Sequence, residues 1–359
     1  MTFTDRIARL RQQLAENELD GILVSQPQNR YYLSGFRSSE GYLLMTHENT
    51  IIAVDFRYIE QAKRQCPDYE LFQIKGSMAD WFPQLVSGLG LKKLAFEASD
   101  VSFALYRQLA NIMTKSKLTF RLVPTERLVE LLRIIKEPEE IEFITKAISI
   151  SDGACEYVQS VIHAGMTELE IAWEIEKFMR EHGSEALPFD IIVASGPNAA
   201  LPHASASDRR IGEGEPVLID IGARCNGYGS DLSRTLCVGS PNDTYKKIYD
   251  TILGAQLSAI ELIKEGMTGE EADALARTVV EEGGYGEAFG HALGHGVGLA
   301  PHEAPRLGTR STDILTNGMV FTIEPGIYIS GWGGVRIEDI GVMENGRVKI
   351  LSHARKIFK

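Results

Sequence analysis

The sequence predicts an α+β protein of two domains. At 359 residues it is long for one hydrophobic core. Residues 1 to about 124 alternate short helices with β-like runs, whereas the remainder opens on a long helix and repeats its own pattern. The C-terminal part also embeds acidic residues in apolar, Gly-punctuated segments. Hydrophobic residues make up 44% and charged residues 24%, a soluble globular composition. A net charge of −12 argues against nucleic acid or an anionic membrane as the main partner.

In chain order, Ile7, Leu10 and Leu14 fall on one helical face, and GILVS follows as a buried strand. Further strands are predicted at GYLLM, TIIAVD, ELFQI, KLAFE and TFRLV, with helices around 57–66, 79–88 and 102–114. Tyr31, Tyr32 and Phe36 are expected in the core of this α/β domain, which has no nucleotide fingerprint and no acid–His cluster. The boundary lies in PTERLVELLRIIKEPEEIEF, so residues 1–124 form the first domain, 125–137 a linker and helix, and 138–359 the second domain. Pro138, followed by Glu139 and Glu140, is a helix start, and the helix should run to about His163.

The second domain contains an echo. Gly165-Met-Thr-Glu-Leu-Glu170 recurs as Gly266-Met-Thr-Gly-Glu-Glu271, 101 residues later. In each copy a Thr precedes a Glu by three positions, the pattern of a capping box. Each following helix should end at glycine, near Gly183 and Gly283–Gly284. A long helix precedes each copy and an acid-bearing hairpin follows it. Duplication is the reading this supports, with two helix-helix-hairpin halves facing across a pseudo-twofold axis.

Asp220 and Asp231 stand in LIDIGARCNGYGSDLSRTL. On one strand their spacing of 11 would put them on opposite faces. A two-residue turn at Asn226-Gly227 reverses this, because it sets Asp231 opposite Gly222 and makes Asp220 its diagonal neighbour, about 7–8 Å away at Cα. Glu324 and Glu338 flank ISGWGGV, and a turn near Gly331 would set them opposite each other, with a bulge expected at Pro325-Gly326. Two carboxylates about 4 Å apart repel by about 4 kcal/mol at an effective dielectric of roughly 20, so four together take up protons or bind cations.

His295, in GHGVG, adds an imidazole to the four acids. Oxygen ligands with one imidazole suit Mn, Co, Fe or Zn, and four carboxylates balance two divalent ions. His203, His291 and His302 lie in related segments, LPH, GHALGHGVG and HEAPR. The remaining histidines (47, 163, 182, 353) are expected to be structural. The four cysteines show no CxxC spacing and are expected as reduced thiols in a cytoplasmic chain. No run of about 18 apolar residues predicts a membrane helix, and the N-terminus lacks the apolar stretch of a signal peptide. GHGVG lacks the lysine of a phosphate loop, and no GxSxG marks a serine hydrolase.

Together these residues resemble the metallopeptidase family with the pita-bread fold, which contains methionine aminopeptidases, aminopeptidase P and Xaa-Pro dipeptidases (prolidases). The likeness covers roughly residues 130–359, and residues 1–124 resemble the creatinase-type N-terminal domain of that group. Creatinase shares the fold without metal, and the complete ligand set argues against it. The resemblance implies two metal ions held by Asp220, Asp231, His295, Glu324 and Glu338, with Asp231 and Glu338 bridging. It implies Glu324 as acid/base, His302 as hydrogen-bond donor to the tetrahedral intermediate, and His203 and His291 as substrate-site residues. Arg336 and Arg306 are candidates for the substrate carboxylate, the alternative for each being a structural ion pair. The implied activity is Xaa-Pro dipeptide hydrolysis by a manganese-loaded homodimer. Aminopeptidase P activity on longer peptides is the alternative, and a non-enzymatic scaffold a remote one.

Overall fold

Buried apolar runs separated by amphipathic helices make the first unit a layered α/β structure. The structure, a computed structural model, describes residues 3–356. It separates into two compact units between Arg133 and Ile134. The first contains α1 (Phe3–Glu16), β1 (Gly21–Val24), α2 (Pro27–Ser34), β2 (Tyr42–Thr46), β3 (Thr50–Val54), α3 (Ile59–Gln65), β4 (Glu70–Gln73), α4 (Met78–Leu85), β5 (Lys93–Glu97), α5 (Phe103–Lys115), β6 (Arg121–Thr125) and α6 (Glu130–Arg133). Its strands form one six-stranded sheet in the order β4-β3-β2-β1-β5-β6. β1 is buried along its whole length, as expected of a central strand covered on both faces.

Two local expectations change. The buried face of α1 carries Arg6, Leu10 and Leu14, not Ile7. The Arg6 guanidinium lies 4.3 Å from the centre of the Tyr32 ring and donates to the Tyr32 carbonyl, so its charge is satisfied inside. Helix α2 was not anticipated. Pro27 at its first turn and Gly35 in the left-handed region after its end (φ 71°) are the signals for it. Of the three aromatics expected in the core, Tyr32 and Phe36 are buried and Tyr31 is only partly so, its ring 5.2 Å from the Arg37 guanidinium.

The second unit contains α7 (Pro138–Val161), α8 (Glu168–Glu181), β7 (Ile192–Ser195), β8 (Pro216–Ile221), β9 (Arg224–Cys225), β10 (Tyr228–Gly229), β11 (Leu232–Cys237), α9 (Asp243–Leu262), α10 (Gly269–Glu282), β12 (Gly294–Gly296), β13 (Glu303–Leu307), β14 (Val320–Ile323), β15 (Gly326–Ile329), β16 (Gly333–Arg336), β17 (Asp339–Glu344) and β18 (Arg347–Ile350). The echo is visible in its hydrogen bonds. Gly165 N–H donates to Ile211 and Gly266 N–H to Leu315, each at 2.8 Å. Ile211 N–H returns to Met166 and Leu315 N–H to Met267. Thr167–Glu170 and Thr268–Glu271 are both complete capping boxes. The sheet order β7-β8-β11 of the first half recurs as β12-β14-β17 within the five-stranded sheet of the second.

Each half has its own core. Ile171, Ile175, Val193 and Ile219 pack in the first, and Ile252, Ala276, Phe321 and Ile323 in the second. Among the described residues no helix is long and apolar enough to cross a membrane.

Candidate metal centre

The first pair of acids is delivered by the hairpin β8–β11. Asn226 and Gly227 both have positive φ (48° and 82°), the conformation of a type I′ turn. The resulting register pairs Leu232 with Ile221 and Ser233 with Asp220. Continued past β11, the same register sets Asp231 opposite Gly222, as the sequence predicts. A Cβ at Gly222 would sit 2.5 Å from both Pro188 Cγ and the Ser230 carbonyl oxygen, so only glycine leaves this opening.

The second pair sits in an interruption of a long hairpin. β14 pairs with β17 (Ile323 with Asp339) and β15 with β16 (Gly326 with Arg336), and one register runs through both ladders. Glu324 and Glu338 therefore face each other in the gap. The bulge expected at Pro325-Gly326 is absent: no residue is inserted, and pairing lapses on both strands, where Pro325 has no N–H to give. Glu338 N–H turns instead to the Ser233 carbonyl of the other half, at 3.0 Å. Ser233 Oγ also donates to Glu338 Oε2 at 2.8 Å.

His295 reaches these acids because β12 is Gly-His-Gly. A Cβ on Gly294 would overlap the Thr322 carbonyl oxygen, and one on Gly296 the Ala304 carbonyl oxygen. Backbone, unlike a side-chain tip, cannot move aside. Gly294→Ala is accordingly expected to cost about 3 kcal/mol of unfolding free energy, at the upper end for overpacking. Urea unfolding reads this, and an unchanged midpoint would show that β12 shifts without penalty. His295 Nδ1 lies 3.1 Å from the Gly296 carbonyl, which assigns the proton to Nδ1 and leaves Nε2 as the ligand atom. Nε2 is 3.2 Å from Glu324 Oε1 and 3.6 Å from Asp231 Oδ2.

Three overlapping ligand sets result, each with its atoms within 4.8 Å of one another. They are Asp231–His295–His302, His295–Glu324–Glu338 and Asp220–Asp231–Glu338. Burial raises Asp220, Asp231 and Glu338 above the usual carboxylate range, and neighbouring carboxylates raise them further. Burial also acts to raise Glu324, but without metal a His295 protonated on Nε2 as well as Nδ1 donates to it, and that hydrogen bond and charge bring Glu324 to about 2. Among the described residues, Asp220 Oδ1 and Glu338 Oε1 are buried without a hydrogen-bond partner. Orphaned oxygens amid mutually repelling acids are what a divalent-cation site requires, so the donor set fits metal.

Arg336 is buried and makes four hydrogen bonds. Nη2 donates to Asp220 Oδ2 (2.6 Å), Nε to Ser233 Oγ (2.7 Å), and Nη1 to Tyr328 Oη (2.8 Å) and the Pro202 carbonyl (3.3 Å). Tyr328 Oη lies 3.0 Å from His291 Nε2, and His291 Nδ1 is 2.8 Å from the Ala292 carbonyl. With the His291 proton on Nδ1, Tyr328 donates to Nε2 while accepting from Arg336. Burial pushes the Tyr328 hydroxyl up to about 12, so it stays protonated in this role.

A cavity of about 750 Å³ opens on the centre. It is lined by Asp220, Asp231, His295, Glu324 and Arg336, by His203, His291 and His302, and by the apolar Leu169, Trp173, Leu187 and Phe189, with Glu176 and Asp190 also in its wall. The His302 ring packs edge-on to that of His295, with centroids 4.1 Å apart. Arg306 is not part of this wall. It is exposed on β13, paired in register with His295, and its backbone N–H donates to Asp313. The structure thus does not bring Arg306 to the site, unlike Arg336.

Sequence reasoning missed Ser233 and Tyr328. The hairpin register that places Asp231 also sets Ser233 directly opposite Asp220, which was sufficient to find it. Tyr328 gave no comparable signal, because its partner His291 is 37 positions away in another segment.

Residues 142–345 match metallopeptidase family M24, and residues 6–135 match the creatinase/prolidase N-terminal domain. The chain belongs to metallopeptidase family M24. A Xaa-Pro dipeptidase of Pyrococcus furiosus is 39% identical, with 99% of both chains covered. The structure of a Xaa-Pro dipeptidase from Bacillus anthracis superposes with a TM-score of 0.94 at 42% identity, covering 99% of each chain. An X-Pro aminopeptidase from Thermotoga maritima has a TM-score of 0.90 at 36% identity, covering 98% of this chain and 99% of the other. This M24 chain accordingly has the pita-bread catalytic fold and the creatinase-type N-terminal fold that the sequence predicts.

Proposed function

We propose that this M24 chain hydrolyses the Xaa-Pro bond of dipeptides, using two divalent cations held by Asp220, Asp231, His295, Glu324 and Glu338. The observation that carries the reading is the convergence of these five side chains, four of which (Asp220, Asp231, His295 and Glu324) line the cavity. The Xaa-Pro dipeptidases among its relatives support the substrate class. Manganese and a homodimer are carried over from the family resemblance. When bound, the cations polarise the scissile carbonyl and acidify the attacking water.

The protein's own groups do the rest. Glu324 takes the proton of the attacking water and passes it to the leaving proline nitrogen. That nitrogen is a tertiary amide with no N–H, so recognition rests on the carbonyl, the termini and the ring. His302 donates to the oxygen that gains charge in the tetrahedral intermediate. His203 and His291 border the substrate. Arg336 keeps Asp220 in place through Nη2, while its Nε and Nη1 hold Ser233, Tyr328 and Pro202.

The second reading is an aminopeptidase acting on longer Xaa-Pro peptides. The cavity of about 750 Å³ favours it, being large for a dipeptide. Manganese-loaded protein assayed on Ala-Pro and Ala-Pro-Ala separates the two. Faster turnover of Ala-Pro is expected, and a preference for the tripeptide would assign the aminopeptidase instead.

A further inference from the structure

We infer that Glu168 is a positioning residue for the loop that carries His203, acting on the substrate site from outside the cavity. It is fully buried at the start of α8 and makes no direct ion pair among the described residues. Its oxygens accept from five donor groups. Oε1 takes Ser195 N–H (2.7 Å) and Ser195 Oγ (2.8 Å), Oε2 takes Ser207 N–H (3.1 Å) and Ser207 Oγ (2.6 Å), and Asn198 Nδ2 bridges both at 3.1 and 3.2 Å. These donors stand at the beginning, first turn and end of the segment 195–207. Between them, Pro202, His203, Ala204, Ser205 and Ala206 reach the cavity wall.

The duplication shows why a carboxylate is needed here. The repeat aligns Glu168 with Gly269, and Ser207 with Ser311: Leu169 N–H donates to Ser207 and Glu270 N–H to Ser311. In the second half the chain ahead of Ser311 is β13, held by its ladder to β12. In the first half the same stretch has no ladder, only the 3₁₀ turn Gly196–Ala200 and short turn bonds. Its backbone needs other partners, and Glu168 supplies them from one point. Where the strand exists the acid is absent, and a Cβ at Gly269 would overlap the Arg306 carbonyl oxygen.

The buried charge is offset one hydrogen bond away. Arg209 Nη1 donates to Ser195 Oγ at 2.6 Å while its guanidinium holds Glu215 at 2.5 and 2.7 Å. Glutamine replaces Glu168 poorly, since its amide nitrogen would meet a backbone N–H and the Asn198 amide, with one serine hydroxyl alone able to turn and accept. At the far side of the loop Arg336 holds the Pro202 carbonyl, so the segment is tied at its base by Glu168 and at its tip by Arg336.

This inference rests on the reading of His203 as a substrate-site residue, and a double-mutant cycle tests it on the metal-loaded full chain. E168Q is expected to lower kcat/KM for Ala-Pro about tenfold in the wild-type background, and less than about twofold when combined with H203A. Equal losses in both backgrounds would overturn the role, because damage that bypasses His203 is additive. If E168Q does not fold, N198A and S207A, which each remove donors while keeping the carboxylate, carry the same cycle. A wild type inactive on both Ala-Pro and Ala-Pro-Ala would refute the proposed function instead. Glu168 is then read without activity, from the His203 imidazole signal in histidine-labelled protein. That signal shifts in the Glu168 or Ser207 variant if the loop is released, and an unmoved signal overturns the inference.

Discussion

Asp231→Ala is expected to abolish peptide hydrolysis and metal retention together. Asp231 belongs to two of the three candidate ligand sets among the described residues, so its loss removes a ligand from both at once. Removing a group that only hydrogen-bonds to a ligand costs roughly 10–100-fold, and losing a shared ligand should exceed that. The effect on stability should have the opposite sign. Without metal, Asp231 is a buried acid raised by desolvation and by the charges of Glu338 and Asp220, and removing it relieves that repulsion. Chelated Asp231→Asn should therefore melt no lower than chelated wild type, while added manganese no longer raises its midpoint. Metal content, turnover of Ala-Pro and thermal unfolding with and without chelator check the three parts. Undiminished activity and metal content would remove Asp231 from the centre.

Arg336→Met should produce the largest loss of stability in the metal-free protein, about 3–5 kcal/mol, the cost of breaking a buried pair from one side. The change strands Asp220 Oδ2 and removes donors from Ser233, Tyr328 and Pro202. Lysine should not rescue it, because one ammonium cannot reach partners spread around a planar fork. Metal should recover part of the loss, since a cation beside Asp220 replaces the missing positive charge. Urea unfolding with chelator and with manganese measures both quantities. A loss of the same size in both conditions would mean that Arg336 serves the loop at Pro202 more than it serves Asp220.

Much of this centre is legible before folding is considered. Asn226-Gly227 dictates a register by backbone conformation alone, and that register puts Asp220 and Asp231 on one face. The same parity predicts Glu324 opposite Glu338, although it does not reveal that pairing lapses there. The capping boxes at Thr167 and Thr268 expose the duplication, because a helix start is a matter of four consecutive residues. Arg306 shows where motif reading stops. HEAPR places an arginine near His302 in sequence, yet β13 leaves that side chain in solvent.

What the sequence determined by itself is the inventory of candidate ligands, the two hairpin registers and the repeat that makes the halves alike. Each depends on turn chemistry, side-chain parity or a cap, interactions that act within one element or between adjacent ones. Only the tertiary structure decided that Glu338 bonds to Ser233, 105 positions away, that His291 meets Tyr328, and that Glu168 ties down the His203 loop. The first contact joins the two halves and the other two join distant segments within one half, and each forms only as apolar faces are buried. The hydrophobic effect that drives this burial is non-directional, and the polar partners it brings together are chosen by packing rather than by sequence neighbours.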